Sequence, residues 1–270
     1  MSKAITRAVS REIGRCELTY RRRECVDYTR AVRQHGEYCA LLRRHGVEVL
    51  TLEACDSEPD GCFVADTALV LAELAVVGRM GAASRRGETA AVAEILSTTH
   101  ELARIRAPAT FDGGDAVVIG RQIFVGHSRR TNREGIESLS NLTKPFGYRV
   151  TPVRVAGSLH LTTACSVLDR ETLLVNPRWI DASAFGRFQV LQVTEDEDWA
   201  ANTISVGETV VVEAGAPRTH ELVARHCRSV ETLDISEFRK AEGSLACLSI
   251  LFADAGGRRT SRNREVMYAE

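Results

Sequence analysis

Helical periodicity of apolar residues is clearest at positions 27–45, near the start of the chain. Asp27 can cap this helix, and Gly46 can end it. The apolar face that this spacing predicts comprises Ala31, Val32, Tyr38, Cys39, Leu41 and Leu42. A buried strand is expected to follow at 47–52.

Three more helices are predicted from capping residues placed ahead of apolar positions. Ser84 can cap a helix that carries Val92, Ile95 and Leu96. Thr131 and Glu134 have the spacing of a capping box. A further short helix is expected at 219–226.

Five short apolar runs alternate with these helices and share one plan. They are FVADTALVL from 63, GGDAVVIG from 113, TTACSVL from 162, AANTISVGETVVV from 200 and SLACLSILF from 244. Each begins with small or polar residues, places a reactive or amide side chain near a turn, and continues as a β-rich strand. The marker residues lie 37 to 50 positions apart, at Asp66, Asp115, Cys165, Asn202 and Cys247. Spacing in this range indicates an internal repeat.

Five strand-and-helix units favour a closed, quasi-symmetric α/β arrangement whose strand starts converge on one site. A doubly wound sheet is disfavoured because nothing resembles GxGxxG after a first strand. A pair of ordinary α/β domains stays open as the alternative. Residues 256–270 lack periodicity and are expected to form a polar tail. Residues 14–25, polar and aperiodic, are the expected lid.

Composition removes several classes of partner. The formal net charge is −1, with 36 acidic residues against 35 Lys and Arg, and the pI is about 6.7, which disfavours nucleic acid. No apolar run approaches the ~18 residues of a spanning helix, and the first residues lack a signal peptide's apolar region, so no membrane is expected and the expected compartment is the cytoplasm. The eight cysteines lack paired CxxC spacing, which favours reduced thiols over structural zinc or disulfides.

The converging side chains are rich in carboxylates. They comprise Asp60, Asp66, Asp112, Asp115, His160 and Cys247. Buried carboxylates repel one another unless a positive charge binds between them. Because no metal-type His and Cys spacing accompanies them, an organic cation is the expected ligand, and a guanidinium group pairs well with carboxylates.

Attack on a guanidinium carbon requires a strong nucleophile and a proton donor for the departing amine. A cysteine thiolate meets the first need, and a histidine can give a proton to the amine and then take one from water. Structural alternatives stand beside these roles. Cys247 can be a buried strand cysteine, His160 a core histidine, Asp60 and Asp115 turn residues, and Arg85 part of an exposed first turn.

An ordered set of motifs resembles the dimethylarginine dimethylaminohydrolases, which belong to the guanidine-modifying superfamily. It runs from Arg7 to Phe252 through CELTY at 16, RQHGEY at 33, EPDGCFVADTALV at 58, SRRGE at 84, FDGGD at 111, FVGHSRRTNREG at 124, LHL at 159, AAN at 200 and LACLSILF at 245. The resemblance implies an α/β fold of the pentein type, a five-bladed ββαβ propeller with pseudo-five-fold symmetry around a central site. Residues 1–255 would form this single catalytic domain.

The same resemblance implies roles for the reactive residues. Cys247 would be the nucleophile and His160 the proton donor, and Asp112 would contact the guanidinium and orient the histidine. Asp66 would hold the guanidinium from its other side. No metal and no organic cofactor is expected.

Further positions match those that hold the amino-acid end of the substrate. Leu18, Asp60, Arg85 and Arg130 are in this set, the arginines pairing with the carboxylate and Asp60 with the ammonium group. Ala241 would contribute through its backbone.

The implied activity is hydrolysis of N-ω-methylated or N-ω,N-ω-dimethylated L-arginine to L-citrulline and methylamine or dimethylamine. Three positions depart from the family pattern: Ala65 stands where glutamate is usual, Glu242 where aspartate is common, and His127 has no assigned role. Ala65 keeps arginine, agmatine or another guanidino compound open as the substrate. A non-catalytic guanidine-binding or protein-interaction module is the distant alternative, and a Cys247 that resists alkylation at neutral pH would be its mark. The expected partner is a small guanidino amino acid, and a homodimer is left open.

Overall fold

The computed structural model describes residues 2–253, in which fifteen strands form five separate three-stranded sheets. The strands are β1 Ser2–Arg7, β2 Glu48–Leu52, β3 Ala68–Val70, β4 Leu74–Val77, β5 Glu101–Arg104, β6 Ala116–Ile119, β7 Gln122–His127, β8 Arg149–Arg154, β9 Cys165–Val167, β10 Thr172–Val175, β11 Gln189–Gln192, β12 Ile204–Val206, β13 Thr209–Glu213, β14 Ser229–Leu233 and β15 Ile250–Ala253. The α-helices are α1 Tyr28–Arg44, α2 Thr89–Ser97, α3 Arg133–Thr143, α4 Leu161–Ala164, α5 Pro217–Ala224 and α6 Ser236–Lys240. Short 3₁₀ helices are Ile13–Arg15, Val64–Thr67, Ala83–Glu88, Gly113–Asp115, Lys144–Phe146, Ala182–Phe185, Glu195–Ala201 and Leu245–Leu248. The tail expected at 256–270 lies outside the described residues.

Every sheet follows one connection scheme. Its middle strand pairs antiparallel with the preceding strand and parallel with the following one, as β4 does with β3 and β5. The parallel pair requires a crossover, which a helix supplies; α2, α3 and α5 serve three of the sheets. Each sheet therefore follows the ββαβ plan of a blade, with the 3₁₀ helix Ala182–Phe185 in place of the α-helix between β10 and β11.

The fifth blade joins the two ends of the described chain. β1 pairs antiparallel with β15, with Ile5 opposite Ile250, and parallel with β2 beyond α1. This pairing closes the ring, so the fold is the predicted five-bladed pentein propeller. The alternative of two ordinary α/β domains is wrong.

The apolar core lies largely between neighbouring blades. Phe124 of β7 and Leu173 of β10 belong to one buried cluster, and Phe124 also meets Phe185 edge to face at 4.9 Å between ring centroids. Leu174 of β10 and Val210 of β13 belong to the next cluster along the chain. Opposite faces of β10 thus pack on different blades, as the two-residue period of a strand allows.

Two details of the first predicted helix and strand were wrong. Asp27 does cap α1, since its side chain accepts from the amide of Arg30, but Val32 is 43% exposed rather than buried. The strand after the helix is also largely exposed, with Leu50 at 50%. β2 is the edge of its sheet, hydrogen-bonded to β1 alone, which explains this exposure.

The predicted caps of two other helices were also wrong. Ser84 lies inside the 3₁₀ helix Ala83–Glu88, and α2 begins only at Thr89. Asn132 caps α3 by accepting from the amide of Gly135 at 2.8 Å. Thr131 instead accepts from the amide of Asp112 at 3.1 Å. α5 occupies 217–224, two residues before the expected position, because a proline suits a first helical turn.

Candidate active site

The turns that open the five blades meet at the centre of the ring, as predicted. Asp66 lies in the turn of the first of these blades, Asp112 precedes that of the second, and His160 caps the short helix of the third. Asn202 ends the fourth turn, and Cys247 lies in the fifth. Cys247 is therefore in a 3₁₀ helix, ahead of the strand rather than within it.

His160 is buried between two carboxylates. Its Nε2 lies 3.0 Å from Oδ2 of Asp112, and its Nδ1 lies 3.4 Å from Oδ1 of Asp66. Burial is the largest influence and lowers the pKa of the imidazole, but the carboxylates, Asp66 first, together raise it to about 9. His160 is thus an imidazolium at neutral pH, which is the form that can donate a proton.

The two carboxylates differ in what holds them. Asp112 is fully buried, and its Oδ1 accepts from the amide of Gly81 at 2.8 Å. Oδ2 of Asp66 accepts from Arg85 at 2.8 Å, whereas its buried Oδ1 has no hydrogen-bond partner in residues 2–253. Burial, the largest influence, raises the pKa of Asp66, yet the charges of His160 and Arg85 together hold it below its ordinary value. Asp66 therefore offers an ionised oxygen that lies 3.4 Å from the imidazole and accepts no hydrogen bond within residues 2–253.

The thiol of Cys247 is buried and protonated in the free protein. Burial and the charge of Asp66 raise its pKa to about 12, against smaller opposing contributions that include the charge of Arg85. The backbone amide of Cys247 donates to the carbonyl of Ser244 at 3.1 Å. The resting site accordingly holds a neutral thiol and a charged imidazole.

Asn202 connects the two turns that carry these reactive groups. Its Nδ2 donates to the carbonyl of Thr162 at 2.7 Å, and its Oδ1 accepts from the amide of Ala246 at 2.9 Å. These partners lie two residues after His160 and one residue before Cys247. The sequence marked Asn202 only as a repeat position; its amide group at the start of a strand was the available signal.

Both glycines of FDGGD are required by close contacts. A Cβ on Gly114 would lie 2.3 Å from Oδ1 of Asp66 and 2.9 Å from Nδ1 of His160. A Cβ on Gly113 would lie 2.3 Å from the carbonyl oxygen of Ala65. Without side chains here, the second blade approaches closely enough for Asp112 to reach the imidazole.

Asp115 supports the site from behind. Its Oδ1 accepts from the amide of Leu161 at 3.0 Å, and its Oδ2 accepts from the hydroxyl of Ser128 at 2.6 Å. Burial raises its pKa to about 6 despite the charge of His160. Asp115 therefore fixes the position of Leu161, the residue that follows His160.

Arg85 is buried at 2% exposure, so its interpretation as part of an exposed first turn is wrong. Its Nε and Nη2 donate to the carboxylate of Glu88, Nη2 also reaches the carbonyl of Phe63, and Nη1 reaches Asp66. One N–H of Nη1 is left over by this count. Glu88 was missed in the sequence, although its spacing of three residues from Arg85 is that of a helical ion pair.

Asp60 and Arg130 are buried near this cluster. Both oxygens of Asp60 accept from the amide of Glu17, at 3.0 and 3.2 Å. Burial raises the pKa of Asp60, while the charges of Arg85 and Arg130 oppose that rise. Arg130 is 6% exposed, and its Nη1 has no hydrogen-bond partner within residues 2–253.

The remaining predicted positions are Leu18 and Ala241. Leu18 is half-buried, follows Glu17 directly and packs against the core cluster that contains Cys247. Ala241 is buried at the end of α6 in that same cluster. Both belong to the cluster around the nucleophile.

No group of three or more His, Cys, Asp and Glu within residues 2–253 is arranged to hold a metal ion. No helix in the same range is long and apolar enough to cross a bilayer.

Several known proteins resemble this chain over most of its length. Residues 15–248 match the family model described as N,N dimethylarginine dimethylhydrolase, eukaryotic. The N(G),N(G)-dimethylarginine dimethylaminohydrolase of Streptomyces coelicolor is 37% identical over 250 residues, or 92% of this chain and 96% of that protein. The protein of the same name from Pseudomonas aeruginosa is 35% identical over 228 residues, or 84% of this chain and 90% of its own length.

Solved structures agree with these sequence matches. A cysteine-to-serine variant of the Pseudomonas aeruginosa enzyme, complexed with citrulline, superposes with a TM-score of 0.88 at 34% identity, covering 93% of this chain and 98% of that one. A histidine-to-glycine dimethylarginine dimethylaminohydrolase, as its adduct with S-methyl-L-thiocitrulline, gives the same TM-score of 0.88 and identity of 34%, over 93% and 99% of the two chains. The chain belongs to the dimethylarginine dimethylaminohydrolase family.

Proposed function

We propose that this protein hydrolyses N-ω-methylated or N-ω,N-ω-dimethylated L-arginine to L-citrulline and methylamine or dimethylamine. One observation carries the proposal: a buried thiol, a charged imidazole and a carboxylate oxygen without a donor share one cluster. Cys247, His160 and Asp66 supply these groups. The relatives' structures with citrulline and a thiocitrulline adduct support a ligand of this size and chemistry.

The cluster suits a cation with several N–H donors. Oδ1 of Asp66 is free to accept from one guanidinium nitrogen, and the buried Asp112 supplies a second negative charge. At the amino-acid end, Arg130 has an unused donor for a carboxylate, and Asp60 is a buried acceptor for an ammonium group. Arg85 supports the same end through its charge, although most of its donors already bind Glu88, Asp66 and Phe63.

Substrate binding brings a positive charge next to the thiol. The guanidinium cation offsets Asp66, whose charge raises the pKa of Cys247, so the thiol loses its proton to solvent water more readily in the complex. The thiolate then adds to the guanidinium carbon and forms the C–S bond. His160, held as an imidazolium, gives its proton to the departing methylamine as the C–N bond breaks.

The second half of the reaction uses the same residues in reverse. The neutral His160 takes a proton from water, and the resulting hydroxide attacks the S-alkylthiouronium carbon. The C–S bond breaks as the proton of the added hydroxyl passes to the departing sulfur, which returns the thiol of the resting site and leaves the ureido group of citrulline. The preorganised charges of Asp66 and Asp112 stabilise the cationic carbon throughout.

The test is release of citrulline by the purified protein from asymmetric dimethylarginine, with arginine and agmatine in parallel. Cys247→Ser is the blank, and Cys25→Ser, an exposed cysteine, is the matched control. Release from the methylated substrate by the wild type and Cys25→Ser, but not by Cys247→Ser, is the expected result. Normal turnover by Cys247→Ser would overturn the mechanism.

A second candidate keeps the mechanism but changes the substrate. Ala65, where the family usually has glutamate, is partly exposed beside Asp66 in the same turn. One carboxylate fewer at this position favours a different guanidino group, such as that of arginine or agmatine. Release of product from one of these alone would select this candidate. No release from any of them would favour a guanidine-binding module.

Three coarser proposals accompany this function. We propose that residues 1–255 form one catalytic domain, so a single cooperative unfolding transition is expected. The cytoplasm is the expected compartment, supported by eight unpaired cysteines, and cell fractionation tests it. A homodimer is the proposed assembly; light scattering that returns the 29.6 kDa monomer would contradict it.

A further inference from the structure

The loop at 14–25 is fastened by a carboxylate that the proposed reaction does not use. The side chain of Glu242 accepts from three successive backbone amides of this loop. Thr19 donates to both oxygens at 3.0 Å, and Tyr20 and Arg21 each donate to Oε1 at 2.5 Å. Glu242 is itself 8% exposed. Charge-assisted bonds of this kind are the strong class of hydrogen bond.

A second carboxylate fastens the loop on the other side of Leu18. The amide of Glu17 donates to both oxygens of Asp60. Leu18 is therefore the one residue between two anchored amides, at Glu17 and Thr19. Its backbone position is fixed by Asp60 from one side and by Glu242 from the other.

Glu242 is held in an unusual backbone conformation. Its φ is +57°, the one positive φ of a non-glycine residue in the described chain, and L-residues adopt this region at a cost. The next residue, Gly243, cannot carry a side chain, because a Cβ would lie 2.1 Å from the ring of Phe63. The turn that presents the carboxylate to the loop is thus tightly fixed, and it leads directly to Cys247.

Tyr20, within the fastened loop segment, lines two cavities. Tyr20 lines one cavity of about 470 Å³ together with Leu159, which directly precedes His160, and Ser244, three residues before Cys247. Tyr20 also lines a second cavity of about 590 Å³ on the side of Arg129, whose guanidinium lies 5.6 Å from the tyrosine ring. Release of residues 19–21 would therefore change the walls of both cavities.

We propose that Glu242 is a positioning residue that latches residues 19–21 closed and thereby sets Leu18 against the substrate. Its effect on substrate binding rests on the proposed function, whereas its hold on the loop does not. Glu242 acts through Leu18 and the loop backbone and touches no reacting atom.

Hydrogen exchange and steady-state kinetics together test the latch. Glu242→Gly removes the carboxylate and also relieves the positive φ, so the variant is expected to fold. The amides of residues 19–21 should exchange at least about tenfold faster, because the free energy of hydrogen bonds to a charged group corresponds to a factor of about ten or more. For the same reason KM for dimethylarginine should rise about tenfold or more, with a smaller change in kcat. Glu242→Asp, which keeps the charge, should restore most of the amide protection.

Glu237→Gln is the matched control. Glu237 is a buried carboxylate that accepts from the amide of Asp27, at the far end of the same loop. It should change stability without changing exchange at 19–21 or KM. Wild-type exchange at 19–21 in Glu242→Gly would overturn the latch, and fast exchange with an unchanged KM would overturn its positioning role. If the wild type turned over no guanidino compound, the proposed function would fail, and the exchange measurement would still decide the latch.

Discussion

His160 is expected to remain protonated well above neutral pH, although it is 1% exposed. Its pKa of about 9 against an ordinary value of 6.5 gives roughly 30 charged molecules for each neutral one at pH 7.5. The cause is the pair of carboxylates on its two ring nitrogens, since burial alone would lower the pKa. His35 provides the contrast in the same protein. Burial and the charge of Arg43 lower the pKa of His35 to about 4.

The raised pKa of His160 makes the folded state less stable as the pH rises. A group with a higher pKa in the folded state contributes stability that is fully present below its unfolded pKa and is lost as the pH rises through the folded value. For His160 the window runs from 6.5 to about 9, and the free energy involved is on the order of 3 kcal/mol. The unfolding free energy of the wild type, less that of His160→Gln, should fall by about this amount across the window.

The direct assay is NMR titration of the histidine ring nitrogens, with His160→Gln used to assign the resonance. A midpoint near 9 is expected for His160, and His35 should stay neutral through pH 7. Asp66→Asn should lower the His160 midpoint by about one pH unit or more, because Asp66 is the first of the groups that raise it. A wild-type midpoint at or below 6.5 would refute the reasoning, since the carboxylates would then fail to outweigh burial.

Three further predictions concern groups around the reactive pair. Asn202→Ala should lower kcat by about 10- to 100-fold and cost about 1–3 kcal/mol in denaturant unfolding, because two hydrogen bonds that connect the reactive turns are lost; an unchanged kcat would contradict this. Gly114→Ala should lower kcat strongly and the melting temperature only slightly, since the added Cβ would lie 2.3 Å from Asp66. A normal kcat would show that the neighbouring side chains move aside without harm to the reaction. Arg130→Gln should raise KM by about tenfold or more with little change in kcat, whereas the exposed Arg133→Gln should leave both constants unchanged.

The repeat plan was predictable because each blade begins with the same local chemistry. The irregular spacing also has a structural cause. Cys165 and Asn202 lie only 37 residues apart, and the blade between them crosses over through the 3₁₀ helix Ala182–Phe185, where other blades use an α-helix. A closed ring was expected from the repeat, but the strand pair that closes it could not be read from local pattern, because β1 and β15 come from opposite ends of the described chain. The exposure of β2 was missed for the same reason, since a sequence does not reveal which strand is an edge.

The reactive residues were found through motif resemblance, and the structure brings Asp66, Asp112 and His160 within hydrogen-bond or ion-pair distance. Their supports were not found. Glu88, Asn202 and Glu242 each bind a group brought near by folding or by a local turn, and their residue types alone suit any surface. Reactive side chains can be predicted from their residue type. The side chains that position them are identified only once the structure shows what they bind.

Resistance of Cys247 to alkylation does not distinguish an enzyme from a non-catalytic module. Resistance to alkylation at neutral pH was the expected mark of a non-catalytic module, yet a buried thiol with a pKa of about 12 should resist alkylation in a working enzyme too. The substitution Asp66→Asn instead tests how far the charge of Asp66 controls the thiol. It removes the charge that, after burial, most raises the pKa of the thiol, so neutral iodoacetamide should modify Cys247 faster at pH 8. Turnover should nevertheless fall, because the guanidinium loses its counter-charge and His160 loses part of its proton affinity.

The measurement follows modification of the Cys247 peptide by mass spectrometry, with the exposed Cys25 as internal reference. Alkylation that is unchanged in the variant would mean that burial alone controls the thiol, and the proposed role of substrate charge in its deprotonation would be lost.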